Sequence, residues 1–260
     1  MAPTHHSERS SPPRAEECLP PKESWVGPTP ARTALGPICE ARLLGVVDYE
    51  EASRLQREIA QRRAAGEVPD TLLLLEHPPV YTTGKRDAAS NLRLPASMLG
   101  APLLVSDRGG DITFHGPGQL VAYPIIDLKA ARLGIVNYVR GLEEVVMRTL
   151  RDYGIDSSLE CGLTGVWVGN DKIAAIGVRV SRPGGVSGAW VTTHGCALNV
   201  DVNLAWFDRI VPCGIRDRGV TSMQRLLGEA PRLPEVAEHL VGHFGEVFGR
   251  KMSLASTRPG

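Results

Sequence analysis

Arg108-Gly109-Gly110-Asp111-Ile112-Thr113-Phe114-His115-Gly116-Pro117-Gly118-Gln119 runs directly into the mostly apolar Leu120-Val121-Ala122-Tyr123-Pro124-Ile125-Ile126. Four of the first twelve residues are glycines. A residue without Cβ lets backbone approach a ligand closely, so this loop marks a site. The apolar run behind it has the composition of a strand covered on both faces. Downstream, 166–168 and 172–180 read as a hairpin around Gly169-Asn170-Asp171, and 190–193 and 197–200 as two further strands. Upstream, 41–47 and 103–106 read as strands. So does 71–76, which ends at His77-Pro78-Pro79, where the prolines keep the backbone extended. Strands gather in the middle of the chain without regular βαβ alternation, which predicts an α+β fold rather than a doubly wound sheet.

Helices flank this strand-rich centre. Tyr49, Ala52, Leu55 and Ile59 recur every three or four residues and predict an amphipathic helix to about residue 65. Val139, Leu142, Val146 and Leu150 do the same for 136–153. Thr221 is placed to cap a short helix carrying Met223, Leu226 and Leu227. Val236, Leu240, Phe244 and Phe248 mark a last helix, with Pro234 in its first turn, where a missing N–H does no harm. Residues 1–37 differ in kind. They hold eight of the twenty prolines and a single aromatic residue, Trp25. Such a segment buries too little apolar surface to offset its ordering entropy and reads as a disordered tail; a tail with a docking role is the alternative. The expected organisation is a tail at 1–37, a folded domain at 38–252 and a flexible C-terminus at 253–260.

The chain has 260 residues, 42% hydrophobic, with 29 basic and 29 acidic side chains. A zero formal charge argues against a dedicated nucleic-acid binder. The five cysteines (Cys18, Cys39, Cys161, Cys196, Cys213) are odd in number and widely spaced, without a C-x-x-C. That pattern suits reduced thiols in the cytoplasm better than a disulfide framework. No His/Cys/Asp/Glu cluster shows metal-ligand spacing, so no metal is expected. No apolar run is long enough to span a membrane, the start of the chain lacks a secretory h-region, and acids among its arginines argue against a transit peptide.

Two residues suggest chemistry. Cys213, between Pro212 and Gly214, sits where a turn is expected; Lys172 opens the apolar run 173–178. A thiol beside an ammonium gains thiolate character. Each also has a plainer reading, Cys213 as a buried small hydrophobe and Lys172 as a solvated hairpin lysine beside Asp171. His115 and His194 are auxiliary candidates, as partners in a Cys-His dyad or as hydrogen-bonded supports of their loops. His77 reads as structural. Arg179, Arg182, Arg209, Arg216 and Arg218 read as solvated surface or as a basic patch steering an acidic partner.

Six segments resemble one family in order and spacing, the octanoyl-(acyl carrier protein):protein N-octanoyltransferases, also called lipoate-protein ligase B. They are Glu76-His77-Pro78-Pro79-Val80-Tyr81-Thr82-Thr83-Gly84, the Arg108 to Gln119 loop, Gly165-Val166-Trp167-Val168, the run from Lys172 to Gly177, Thr193-His194-Gly195-Cys196-Ala197-Leu198-Asn199, and Val211-Pro212-Cys213-Gly214. The resemblance covers roughly 40–250. It implies a biotin/lipoate protein ligase-like catalytic domain, a mixed, mainly antiparallel sheet backed by helices. It implies Cys213 as the acyl-bearing nucleophile and Lys172 as its neighbour, which lowers the thiol pKa and shuttles the proton. It implies a substrate pocket lined by Arg108, Gly109, Gly110, Asp111, Ile112, Thr113, Phe114 and His115, by Ala175, Ile176 and Gly177, and by Gly195, Cys196 and Ala197, with His194 auxiliary. Cys196 departs from the family pattern, where a larger apolar residue is usual.

The implied reaction takes octanoyl from octanoyl-acyl carrier protein to a lysine of a lipoyl domain through an acyl-cysteine thioester, an early step of protein lipoylation. The implied acceptors are lipoyl domains of 2-oxoacid dehydrogenase complexes and the glycine cleavage H protein. No cofactor is expected, because the donor brings its own phosphopantetheine; neither nucleic acid nor membrane is expected as a partner. An ATP-dependent lipoate or biotin ligase, which needs no cysteine, and a non-catalytic carrier-binding protein are the rival readings.

Overall fold

The computed structural model describes residues 36–84, 89–185, 188–211 and 218–255. The tail expected at 1–37 lies outside these residues apart from Gly36 and Pro37, and so do Cys213 and Arg216. In chain order the elements are β1 (Ile38–Val46), α1 (Tyr49–Ala64), β2 (Asp70–Glu76), β3 (Val80–Thr83), β4 (Leu103–Val105), β5 (Thr113–His115), β6 (Gln119–Ile125), α2 (Ile135–Asp152), β7 (Ser158–Glu160) and β8 (Leu163–Val168). Then follow β9 (Asp171–Ser181), β10 (Val191–Asn199), β11 (Gly219–Val220), α3 (Met223–Leu227), α4 (Leu233–Phe248) and β12 (Lys251–Leu254).

One sheet has the order β12-β1-β2-β6-β10-β9-β8-β7, with β11 on β9, and a second has β4-β3-β5. In the large sheet β1 lies parallel to β2 and β12, and β11 parallel to β9; every other pairing is antiparallel. The fold is therefore α+β, with a mixed, mainly antiparallel sheet backed by helices. Period-two alternation explains how it is covered on both faces. In β2, Leu72 and Leu74 pack with Leu120 and Ala122 of β6 beneath α2 and α4. Leu73 and Leu75 point the other way, with Val121, Tyr123 and Ile125, against Ala52, Ile59 and Ala60 of α1.

Several boundaries differ from expectation. The two strands expected at 190–193 and 197–200 are one, β10, which passes through His194 and Gly195. Gly195 does not interrupt the strand: a Cβ there would collide with the Ala122 carbonyl oxygen and lie 2.6 Å from Pro124 Cδ, so glycine is what lets β10 run so close to β6. Ser222, not Thr221, caps α3, its side chain accepting from the Arg225 N–H. The Thr221 carbonyl instead accepts from Asn199 Nδ2 at 2.9 Å. β12 reaches Leu254, two residues past the boundary expected at 252. No helix among the described residues is long and apolar enough to cross a membrane.

Candidate active site

The glycine-rich loop is clamped between the two sheets. Arg108 donates from Nη2 to the Thr82 carbonyl at 2.7 Å and to Thr82 Oγ1 at 2.9 Å, tying the loop to β3. Gly109 N–H donates to the Val178 carbonyl at 3.0 Å, laying the loop along β9. A Cβ on Gly177 would stand 2.8 Å from the Gly109 carbonyl oxygen and 3.3 Å from Arg108 Cδ, so the loop seats only because that position of β9 is bare. Asp111 closes the turn, accepting from the Ile112 N–H at 2.6 Å and from Asn91 Nδ2 at 2.8 Å.

Beneath the loop lies a cleft of about 460 Å³, part of it open to solvent. From the loop it takes Arg108, Gly110, Asp111, Thr113 and His115; from β9, Ala175, Ile176 and Gly177; from β10, His194, Gly195, Cys196 and Ala197. Tyr49 of α1 and Val121 and Tyr123 of β6 complete it, three residues the sequence reading did not include. Ile112 and Phe114 were expected in the pocket and are not there. From Ile112 through β5 alternate side chains face opposite ways: Thr113 and His115 face the cleft, while Ile112 and Phe114 join Tyr81, Leu99 and Phe207 in a separate core, Phe114 stacked on Trp206 at 5.0 Å. Gly109 lines not this cleft but a neighbouring hollow of about 810 Å³.

Lys172 lines that hollow, and Gly110, Asp111, Ile176 and Gly177 border both cavities. The solvated-hairpin reading of Lys172 fails, since its side chain is buried. Its Nζ lies 4.8 Å from the centre of the Trp167 ring, where the face of the π-system attracts a cation. A Cβ on Gly165 would come within 3.2 Å of Lys172 Cε and 2.7 Å of the Ala174 carbonyl oxygen. Glu143, fully buried on α2, accepts from the Gly165 N–H at 3.0 Å and from Arg140 Nη1 at 2.7 Å. Trp167 and Gly165 thus form the seat of Lys172, and Glu143 holds the Gly165 backbone in place. The sequence signal for Glu143 is an acid beside the inward stripe of α2, next to Leu142.

The cleft floor is a cluster of buried, neutral rings. His115 keeps its proton on Nδ1, donating to Gln119 Oε1 at 2.7 Å. Burial, then the charges of His77 and Arg108, hold its pKa well below the ordinary histidine value. Gln119 Nε2 donates to Asn199 Oδ1 at 2.9 Å, and Asn199 to the Thr221 carbonyl, whose own N–H donates to the Lys172 carbonyl at 3.0 Å. A buried relay therefore connects His115 with the start of β9. His194 is pushed down to about 4 by burial, then by Arg108 and Arg179. Its backbone occupies the left-handed region at φ 57°, and its Nε2 donates to Asp107 at 2.7 Å. Nδ1 of His194 is buried and finds no hydrogen-bond partner among the described residues. His77, also pushed to about 4 by burial, donates from Nδ1 to the Val47 carbonyl and accepts from the Tyr123 hydroxyl, which suits its expected structural role.

Cys196 and Cys39 are free and buried, and burial pushes both thiols up to about 12, so neither supplies a thiolate at neutral pH. Cys161 is disulfide-bonded, so the expectation of reduced thiols throughout does not hold for it. The described arginines of the expected basic patch are all engaged within the molecule: Arg179 pairs with Asp107, Arg182 stacks on Trp190, Arg209 bonds the Leu99 carbonyl and covers Trp206, and Arg218 pairs with Glu160 at 2.8 Å.

Residues 48–245 match the family model of the lipoyl protein ligase A/B catalytic domain. An octanoyltransferase of Rubrobacter xylanophilus is 53% identical over 213 residues, which cover 80% of this chain and 92% of that protein. One from Roseiflexus sp. is 51% identical over 219 residues, covering 82% and 89%. Among solved structures, a bipartite lipoate protein ligase from Thermoplasma acidophilum superposes with a TM-score of 0.62 at 16% identity, covering 85% of this chain and 88% of that one. Lipoate-protein ligase A bound with ATP gives the same TM-score at 17% identity, covering 85% and 90%. At such identities these two structures speak for the fold alone.

Proposed function

This chain belongs to the lipoyl protein ligase A/B catalytic domain family and is an octanoyltransferase, and from that premise we propose that it carries octanoyl from the phosphopantetheine thioester of acyl carrier protein to a lysine ε-amine of a lipoyl domain, by way of a thioester on Cys213. The observation that carries this reading is the convergence of the Arg108 to His115 loop, Ala175 to Gly177 and Gly195 to Ala197 on one cleft, with buried Lys172 in the hollow that shares its wall.

The reaction has two halves. Cys213 thiolate attacks the octanoyl carbonyl; a new C–S bond forms, the bond to the phosphopantetheine sulfur breaks, and that sulfur leaves with the proton of the Lys172 ammonium, which becomes neutral. The acceptor amine then attacks octanoyl-Cys213; the C–N bond forms and Cys213 departs as thiolate. Neutral Lys172 Nζ accepts the proton lost by the amine. Both halves pass through a tetrahedral oxyanion, for which backbone N–H groups beside Gly177 and along the glycine-rich loop are the donors. The octanoyl chain lies along the cleft over Ala175, Ala197 and Cys196; the small Cys196 leaves that wall wide. The neutral floor histidines position the loop and β10 without placing a cation next to the acyl chain.

No metal or nucleotide is required in this scheme, and the enzyme works in the cytoplasm on lipoyl domains of 2-oxoacid dehydrogenase complexes and the glycine cleavage H protein. The test is intact mass after incubation with octanoyl-acyl carrier protein in the absence of ATP. One octanoyl adduct on Cys213, discharged by a lipoyl domain, is expected. An adduct on another residue, or activity only with free octanoate and ATP, overturns the scheme.

A further inference from the structure

Away from the cleft, where the last residue of α2 meets an exposed flank of α4, three metal-ligating side chains converge. His239 and His243 stand four residues apart on α4 and so share one helix face. His239 Nδ1 lies 2.6 Å, and His243 Nε2 2.7 Å, from the same oxygen, Asp152 Oδ2. The three ligand atoms lie within 4.8 Å of one another. Sequence spacing did not reveal the group, because Asp152 is 87 residues from His239.

Two further contacts prepare the imidazoles. Nδ1 of His243 faces Glu246 Oε2 at 3.4 Å, and Glu246 is in turn approached by Arg148 at 3.5 Å. Once a cation takes the front nitrogen, a carboxylate behind the imidazole can hold the ring proton on the rear one, an arrangement typical of ligating histidines. The His239 ring packs edge-on to Tyr153 at 5.4 Å, which limits its rotation.

We propose that Asp152, His239 and His243 form a binding site for a first-row divalent cation of the zinc class, one that pins the end of α2 to α4. Two neutral imidazoles and one carboxylate suit Zn²⁺, Co²⁺ or Ni²⁺ rather than the oxygen-seeking Mg²⁺ or Ca²⁺. In the cation-free arrangement protons occupy the short gaps between Asp152 and the two rings. Bond lengths of about 2.0–2.2 Å around a tetrahedral ion space its ligand atoms roughly 3.3 Å apart, so Asp152 Oδ2 withdraws from its 2.6 and 2.7 Å contacts by roughly 0.6–0.7 Å and the two ring nitrogens come to the same spacing. Binding expels the protons. With three protein ligands and His239 46% exposed, water completes the coordination. None of the three residues lines the cleft or the Lys172 hollow, so the cation stabilises the fold and takes no part in acyl transfer.

Thermal unfolding of the full-length protein in EDTA and in excess ZnCl₂ tests this. The chain also carries adjacent His5 and His6, so the set is wild type, His239→Ala, Asp152→Asn and a His5→Ala/His6→Ala double variant. At a Zn²⁺ concentration a hundredfold above its Kd, Tm should rise by about 5 °C in wild type and in the double variant. The rise should vanish in His239→Ala and shrink in Asp152→Asn. CoCl₂ should give the intense visible absorption of a four-coordinate ion, lost in His239→Ala. Octanoyl transfer by His239→Ala without added metal should match wild type, which keeps this test separate from the acyl-transfer scheme. The proposal is overturned by no Tm shift with Zn²⁺, Co²⁺ or Ni²⁺, by a shift undiminished in His239→Ala, or by one that disappears in the His5/His6 variant.

Discussion

Histidine does opposite things in two regions of this molecule. Under the glycine-rich loop, His77, His115 and His194 are buried and neutral, their ring protons committed to a carbonyl, an amide oxygen and a carboxylate. On the outer flank, exposed His239 and half-buried His243 share a single oxygen of Asp152, whose carboxyl pKa is lowered first by the bond to His243. Burial, not residue type, sets the role. In the cleft, desolvation makes these rings rigid hydrogen-bonding pieces of an apolar floor. Outside, two such rings instead turn their nitrogens to one shared carboxylate oxygen.

On the cleft side the largest effect is expected at Lys172, in the adjoining hollow. Lys172→Ala should lower acyl transfer by about 10³–10⁴-fold. Lys172→Arg should form acyl-enzyme slowly and transfer it at least a hundredfold more slowly than wild type, because a guanidinium does not release its proton. Single-turnover acylation and transfer, followed separately against pH, decide it; a near-wild-type transfer step in the arginine variant removes Lys172 as the proton acceptor.

Acid comes next. His77 and His194 titrate near 4 in the folded chain and near 6.5 when unfolded. Between these values the unfolded chain binds more protons, so stability is complete above pH 6.5 and falls as pH drops towards 4, by up to about 3 kcal/mol per ring. Asp152 behaves differently: its lowered pKa gives a contribution present above the unfolded carboxylate value and lost only below it, and largely screened by salt. Urea midpoints between pH 7 and 4 should therefore slope steeply in wild type and less in His77→Asn. Equal slopes in the two proteins would mean that His77 is not held neutral by the fold.

A smaller effect is expected from geometry alone. Gly177→Ala should cost about 1–3 kcal/mol and raise KM for the octanoyl donor more than it lowers kcat, since the new Cβ pushes the Gly109 carbonyl and so the loop. An unchanged KM would show that the loop does not bear on donor binding. Smallest of all, His239→Ala in EDTA should move stability by less than about 0.5 kcal/mol, as an exposed change does when no cation is there to lose; a larger loss would give the apo ion pair a weight that this comparison denies it.

What could be read from the sequence was whatever is local. The inward stripe of α2, the two-faced leucines of β2 and the glycine loop before β6 each carry their signal within a dozen residues. So does the family resemblance, whose six segments supply the cleft's loop and its β9 and β10 walls. What escaped depends on which distant backbone lies alongside. Gly195 reads as a break until Ala122 is seen pressed against it. Ile112 and Phe114 fall on the wrong side of β5 because a one-residue register decides which parity faces the cleft. Tyr49 and Tyr123 reach the cleft from α1 and β6, and nothing in their immediate neighbourhoods announces it.

The pairing of β1 with β12 bears on how the domain is made. Ile38 lies opposite Lys251, more than two hundred residues later in the chain. A ribosome adding about 5–20 residues per second needs roughly 10–40 s to cover that distance. Throughout, β1 shows an open row of N–H and C=O groups to a crowded solution, the condition under which strands recruit the wrong partner. Slow codons or a stalled ribosome ahead of residue 251 would lengthen that exposure, so the yield of native protein should respond to translation speed late in the message even where the amino-acid sequence is untouched.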